Sequence, residues 1–241
     1  MTSNSANAWK MSIDEKGFPK CAIFDFDGVI LESVDIKTEA FIELFSEYPE
    51  HQDAIVRYHL ENLGISRFHK FDWIYSELLQ LDLDETQSGR LGASFSEIVL
   101  ARILSCPFVA GAPQLLRDLQ SKCLLFVASG TPQEELDHIV ESRGIKHHFT
   151  EVCGTPRSKV DIISSIQSRF HLANDETLFI GDGMSDYAAA EETGIRFLAR
   201  QSGSEQWDRL DVASVPDLWA VRPFFGLEPV NKDDMVNDEN K

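Results

Sequence analysis

The chain has 241 residues, enough to bury a sizeable core in one large domain or two modest ones. Its 40 acidic against 22 basic residues leave a formal charge of −18, which repels nucleic acid and anionic membrane and argues against either as a partner. The four cysteines, Cys21, Cys106, Cys123 and Cys153, form no C-x-x-C pair and no zinc spacing, no apolar run approaches the roughly 20 residues of a membrane span, and residues 1–20 lack a signal-peptide apolar centre, so a reducing, cytoplasmic setting is expected.

Residues 1–18 are polar without periodicity and read as a flexible arm. Cys21-Ala22-Ile23-Phe24 then reads as a strand buried on both faces. Asp25-Phe26-Asp27-Gly28 follows at once. Residues two apart on an extended chain point the same way, so Asp25 and Asp27 are expected to leave the carboxyl end of one strand together. Taken alone, Asp-x-Asp-Gly is also a common turn.

Helical spacing is next seen over Ile36–Phe45, from about Gln52 to Leu63 with Gly64 as a stop, after Ser66 with Phe68, Phe71, Trp73, Ile74, Leu78, Leu79 and Leu81, and from Asp84 to Leu104. Phe41, Phe45, Trp73 and Tyr75 are expected to form core rather than partner surface. From Pro107 strands and helices alternate. A helix opens at Gly111-Ala112-Pro113. Strands are expected at Leu124–Ala128, Phe149–Val152, Thr177–Ile180 and, last, Arg196–Leu198. Helices are expected from Pro132 towards Gly144, over Lys159–Phe170, and in the Ala-rich stretch after Gly183. Such alternation implies a parallel sheet. Arg222-Pro223-Phe224-Phe225 is expected to dock on the sheet.

Three strands thus end in polar residues suited to phosphate chemistry. Beside Asp25 and Asp27 stand Ser129-Gly130-Thr131, whose hydroxyl and N–H groups precede a helix, and Gly181-Asp182-Gly183-Met184-Ser185-Asp186, which brings two more carboxylates. Lys159, at a helix start where a cation is locally unfavourable, suits an anion. Clustered carboxylates need a cation, and oxygen ligands suit Mg2+.

In this order the motifs resemble those of the haloacid dehalogenase (HAD) superfamily over roughly 20–200, near its phosphoglycolate phosphatase and β-phosphoglucomutase branch. The resemblance implies an α/β fold: a Rossmann-like parallel-sheet HAD core over 19–34 and 107–227, an inserted all-helical C1 cap over 35–106, and an acidic flexible tail over 228–241. It implies Asp25 as nucleophile and Asp27 as acid and base. Ser129, Gly130 and Lys159 would hold the phosphoryl oxygens. Mg2+ would lie on Asp25, the Asp27 carbonyl and Asp182, with Asp186 a ligand or its support. In the cap, Gly64-Ile65-Ser66-Arg67 resembles a Gly-Val-Ser-Arg loop of the mutases, which offers Arg67 and Lys70 to substrate. Lys37 stands where the mutases and many relatives carry a cap-hinge histidine, a departure that weighs against a mutase and leaves Lys37 as either a further candidate substrate contact or a solvated lysine.

The implied activity is a Mg2+-dependent phosphatase acting on a small phosphorylated sugar, polyol or short acid through an aspartyl-phosphate, as a monomer or homodimer. The alternatives are a sugar-phosphate mutase and a silent phosphate-binding regulatory domain. An acid at Asp27 favours phosphoester over halide chemistry, and a binding module would not need it.

Overall fold

The structure, a computed structural model, describes residues 17–202 and 206–230. Residues 1–16 of the expected arm and 231–241 of the expected tail lie outside them.

The apolar run Cys21–Phe24 forms β1, fully buried at every residue. It can be buried on both faces because it lies inside a six-stranded sheet whose strands are all parallel, in the order β3-β2-β1-β4-β5-β6. The others are β2 (Leu124–Pro132), β3 (Glu151–Thr155), β4 (Thr177–Gly181), β5 (Arg196–Arg200) and β6 (Ser214–Val215). Cys21 pairs with Leu124 on one side and Thr177 on the other, so the strand ends of β1, β2 and β4 come level.

Alternate residues of each strand enter separate cores. Ala22, Phe24, Leu125, Val127, Leu178 and Ile180 meet helices α5 (Ala112–Leu119) and α6 (Gln133–Ser142). Cys21, Ile23, Phe126, Ala128 and Phe179 meet α7 (Lys159–Phe170) and α8 (Met184–Thr193). A parallel sheet needs such cover on both faces.

Between β1 and β2 the chain builds α1 (Val34–Leu44), α2 (Gln52–Glu61), α3 (Arg67–Trp73, continuing as a π-helical turn over Ile74–Leu79) and α4 (Glu85–Ser105). Ser66 caps α3 by accepting the Phe68 N–H, and Asp84 caps α4 through Gln87 N at 2.8 Å. Phe71 sits at the centre, with ring centroids of Phe41, Phe45, Phe68 and Phe95 at 5.9, 6.1, 5.9 and 6.3 Å. Trp73 stacks on Tyr58 at 3.7 Å. The aromatic stripe is therefore core, and it merges with the core under the sheet.

The two chain crossings into and out of this insert are tied together. Glu32 N donates to Pro107 O at 3.0 Å, and Val109 N donates to Ile30 O at 3.0 Å. Arg143, at the end of α6, donates to the carbonyls of Ile103, Leu104 and Cys106 and so satisfies the open C-terminus of α4.

Some elements differ from expectation. The strand expected at Phe149–Val152 runs from Glu151 to Thr155, because Lys146–His148 first makes a 3-10 turn that drops Phe149 into the core. β6 follows the strand expected to be last, and two residues carry no periodicity. The helix expected to stop at Gly64 ends at Glu61. Cys123 is half-buried, whereas Cys21 is buried, and all four cysteines are free. Arg222–Phe225 is a 3-10 turn that packs Phe225 into the core, as expected. Among the described residues no helix is long and apolar enough to cross a membrane.

Phe71→Ala should cost about 3–5 kcal/mol, the usual cost of an emptied aromatic core site, read from urea unfolding. A loss below about 1 kcal/mol would show that this aromatic cluster does not support the insert.

Candidate active site

Asp25 leaves the end of β1, its N–H bonded to the Ile180 carbonyl of β4 at 2.9 Å. Its carboxylate is 1% exposed. One oxygen accepts the Phe26 N–H at 2.6 Å and the other accepts from Lys159 Nζ at 2.9 Å. Lys159 is the first residue of α7, where Ser158 caps the helix through Asp161 N at 3.0 Å. It also bonds Asp186 of α8, whose second oxygen accepts the Gly183 N–H at 3.0 Å.

Asp182 completes the group. It follows β4, is fully buried, and neither carboxylate oxygen has a hydrogen-bond partner. Gly28, at φ +74°, lets the loop after β1 close on it: a Cβ there would lie 2.1 Å from Asp182 Oδ2.

Burial, then the neighbouring Asp186 charge, push Asp182 up to about 7. Burial and Asp186 likewise hold Asp25 well above the usual carboxylate range, more than Lys159 can offset. Burial works against the charge on Lys159, but Asp186 and Asp25 outweigh it and raise its pKa. Asp25, Asp182 and Asp186 each offer an oxygen within 4.8 Å of the others. Three buried carboxylates with one lysine between them, Asp182 touched by no cation, fit a hard divalent cation such as Mg2+.

Asp27 is arranged differently. Its carboxylate accepts from Ser33 Oγ at 2.6 Å, from Thr131 Oγ1 at 2.9 Å and from Lys37 Nζ, which also donates to Thr131 Oγ1 at 2.9 Å. Burial alone would raise its pKa, but the Lys37 charge and these bonds lower it. Ser33 precedes α1 without capping it and turns to Asp27 instead. One strand over, Ser129 Oγ accepts the Thr131 N–H at 3.1 Å, which leaves its own O–H to donate.

The insert covers this ground. Gly64, at φ +78°, lies over the carboxylates: a Cβ there would sit 2.6 Å from Lys159 Nζ and 3.1 Å from Asp25 Oδ2. Ser185 Oγ holds the neighbouring Leu63 carbonyl at 2.8 Å. Gly130 packs against the Gly64 carbonyl. A cavity of about 40 Å³ remains between insert and sheet, lined among others by Asp27, Lys37, His59, Arg67, Lys70 and Asp182.

Of the cap residues singled out, Lys37 pairs with Asp27. Arg67 is 5% exposed, and its guanidinium is held by Glu135 of α6 at 2.6 Å and Ser96 at 2.8 Å, over the Phe95 ring. Lys70 turns to His59, with Nζ 2.9 Å from Nδ1. Sequence reasoning missed Ser33, His59, Glu135 and the bond from Thr131 to Asp27. Only His59 left a trace, as a polar residue one turn from Ile55 on the buried face of α2.

The haloacid dehalogenase-like hydrolase family matches residues 22–200. The chain belongs to that family. Among curated proteins, a phosphoserine phosphatase of Campylobacter jejuni subsp. doylei is 24% identical over 225 residues, covering 84% of this chain and 99% of that protein. Among solved structures, a haloacid dehalogenase-like hydrolase of Streptococcus pneumoniae aligns at TM-score 0.66 with 23% identity, over 86% of this chain and 98% of its own. A Bacteroides vulgatus chain provisionally named a β-phosphoglucomutase aligns at 0.70 with 14% identity, over 98% of each. These structures share the fold: a Rossmann-like α/β sheet of the HAD type with helices inserted after its first strand.

A carboxyl group whose pKa is raised on folding costs stability as pH climbs from the ordinary carboxylate range through the raised value. Without metal, Asp182→Asn should therefore raise stability by about 1 kcal/mol at pH 5 and by roughly 2–4 kcal/mol at pH 8. The same variant should lose the stabilisation that Mg2+ gives the wild type. Thermal melts in EDTA and in Mg2+ at both pH values check this, and equal gains at pH 5 and 8 would contradict it.

Proposed function

We propose that this HAD hydrolase is a Mg2+-dependent phosphatase of small phosphorylated metabolites, working through an aspartyl-phosphate on Asp25. The observation that carries the reading is the pair of carboxylates at one strand end with opposite surroundings. Asp25 shares Lys159 inside an acidic cluster, while Asp27 is held apart by Lys37, Ser33 and Thr131. A divalent cation among Asp25, Asp182 and Asp186 would favour the ionised Asp25 that attack requires, while Asp27, bonded outside that cluster, is free for proton transfer.

Asp25 attacks phosphorus, forming one P–O bond as the ester P–O bond breaks. Asp27 delivers a proton to the leaving alkoxide and then, as carboxylate, takes one from the water that releases phosphate. Lys37 favours the carboxylate and so serves this second, hydrolytic step. Lys159 offsets the charge of Asp25, and Ser129 Oγ with the N–H of Gly130 donates to the phosphoryl oxygens. Asp25 and Asp182, with Asp186 beside them, would hold Mg2+, which would supply positive charge against the phosphoryl oxygens. The orphaned oxygens of Asp182 support its place there. With Gly64 over Asp25, a phosphoryl group enters only when the insert moves, so the helices over 35–106 act as a cap.

The test is 31P NMR with Mg2+ and a panel of sugar, polyol and carboxylate phosphates. Inorganic phosphate should grow from at least one of them. Asp25→Asn should slow this on the order of 10⁴-fold or more, and Lys159→Ala about 10²–10³-fold. Conversion of a sugar phosphate to its isomer without free phosphate would replace this reading with a mutase. Undiminished turnover by Asp25→Asn would remove Asp25 as nucleophile. Lys37→Met should raise the Asp27 pKa, moving the acidic limb of the kcat–pH profile, where Asp27 must be ionised to take a proton from water, to higher pH; an unmoved limb would separate Lys37 from proton transfer.

A further inference from the structure

The cap helices bury a cation whose direct partners are all uncharged. Lys70 is 3% exposed, and its ammonium touches His59 Nδ1 at 2.9 Å, the His59 carbonyl at 3.3 Å and the face of Phe41 at 5.6 Å. No carboxylate among the described residues pairs with it. Burial, then the charge of Lys70 itself, push His59 well below its usual pKa, so the ring is neutral. Its Nε2 is buried without a hydrogen bond, although the Val34 carbonyl favours a proton on the ring. Nδ1 is then the atom that accepts from Lys70.

Such an arrangement costs stability. A buried ammonium without a counter-ion is expensive, and an apolar side chain would pack there at less cost. Burial, then Lys37, lower the Lys70 pKa to about 7. The same cavity has two further cations, but both are already paired, Lys37 with Asp27 and Arg67 with Glu135. Lys70 alone of the three lacks an anion, and it lines a cavity that also reaches Asp27 and Asp182.

We propose that Lys70, oriented by His59, receives a carboxylate on the leaving group, so that the site selects phosphomonoesters of short hydroxy or amino acids over sugar and polyol phosphates. This rests on the phosphatase reading above. One uncompensated positive charge matches one carboxylate. A second phosphate would bring nearly two negative charges into a site with no further free cation.

Matched pairs test this. O-phosphoserine and phosphoethanolamine differ by a carboxylate, as do 2-phosphoglycolate and methyl phosphate. The wild type should prefer the acid in each pair by about 10–100-fold in kcat/KM, the worth of one charge-assisted contact. Lys70→Met and Lys70→Gln should bring both ratios close to one, with Tm unchanged or raised. A wild-type ratio near one, a ratio that survives both substitutions, or a Lys70-dependent preference for a sugar bisphosphate would overturn the assignment. Calorimetric binding of the same pairs to Asp25→Asn, with and without Lys70→Met, needs no turnover. A Lys70-dependent preference there without hydrolysis by the wild type would keep the subsite and discard the phosphatase. Hydrolysis without such a preference would do the reverse.

Discussion

Three carboxylates, Asp25, Asp182 and Asp186, are packed out of water around one ammonium, Lys159. Like charges so placed repel, and burial weakens the solvent screening that would relieve them. The fold tolerates the imbalance because each carboxylate is fixed by a separate rigid element. Asp25 is held by β1 and the Phe26 N–H, Asp182 by the end of β4, and Asp186 by the Gly183 N–H at the start of α8. None can swing away to relax. The remaining negative charge suits a cation, which would relieve a local cost of folding.

The insert answers that acidic floor with cations of unequal freedom. Arg67 is tied to Glu135 on the sheet side, and Arg143 reaches the other way to hold the last carbonyls of α4. These two arginines act between insert and core, and Arg67 shares the space between them with Lys37 and Lys70. Lys37 governs Asp27, and Lys70 has no such duty. The chamber is thus graded: clustered carboxylates at the sheet, Asp27 paired with Lys37 in the middle, and Lys70, without a carboxylate partner, on the inserted helices.

Much of this was legible in the sequence. The apolar run before Asp25, the polar strand ends and the capped helices after Ser66 and Asp84 are local patterns, and local patterns survive into the structure. β3 was misplaced because it lies at the sheet edge, where Glu151 and Thr155 dilute the apolar signal. β6 was missed because its two residues are positioned by Ala199 and Arg200 rather than by any pattern of their own. The side-chain partners were least legible. Arg67 looked like a substrate contact because its neighbours in sequence resemble a substrate loop, but Glu135, far along the chain, holds its guanidinium. Thr131 lies in a stretch that reads as a phosphate cradle, and Ser33 carries no signal at all, yet both bond Asp27. Such pairings depend on tertiary approach, which no spacing in the sequence records.

The placement of β1 carries a consequence for how the chain is made. Its hydrogen-bonding partners, Leu124 and Thr177, emerge more than a hundred residues after Cys21. During synthesis the strand that bears Asp25 therefore waits with both edges open while the insert is completed and can already assemble around its own aromatic core. Pairings of such long sequence separation form late and slowly, and unpaired apolar strands invite association with other chains. The same central position that gives Asp25 a floor on each side makes the first strand of the sheet the one most dependent on everything synthesised after it.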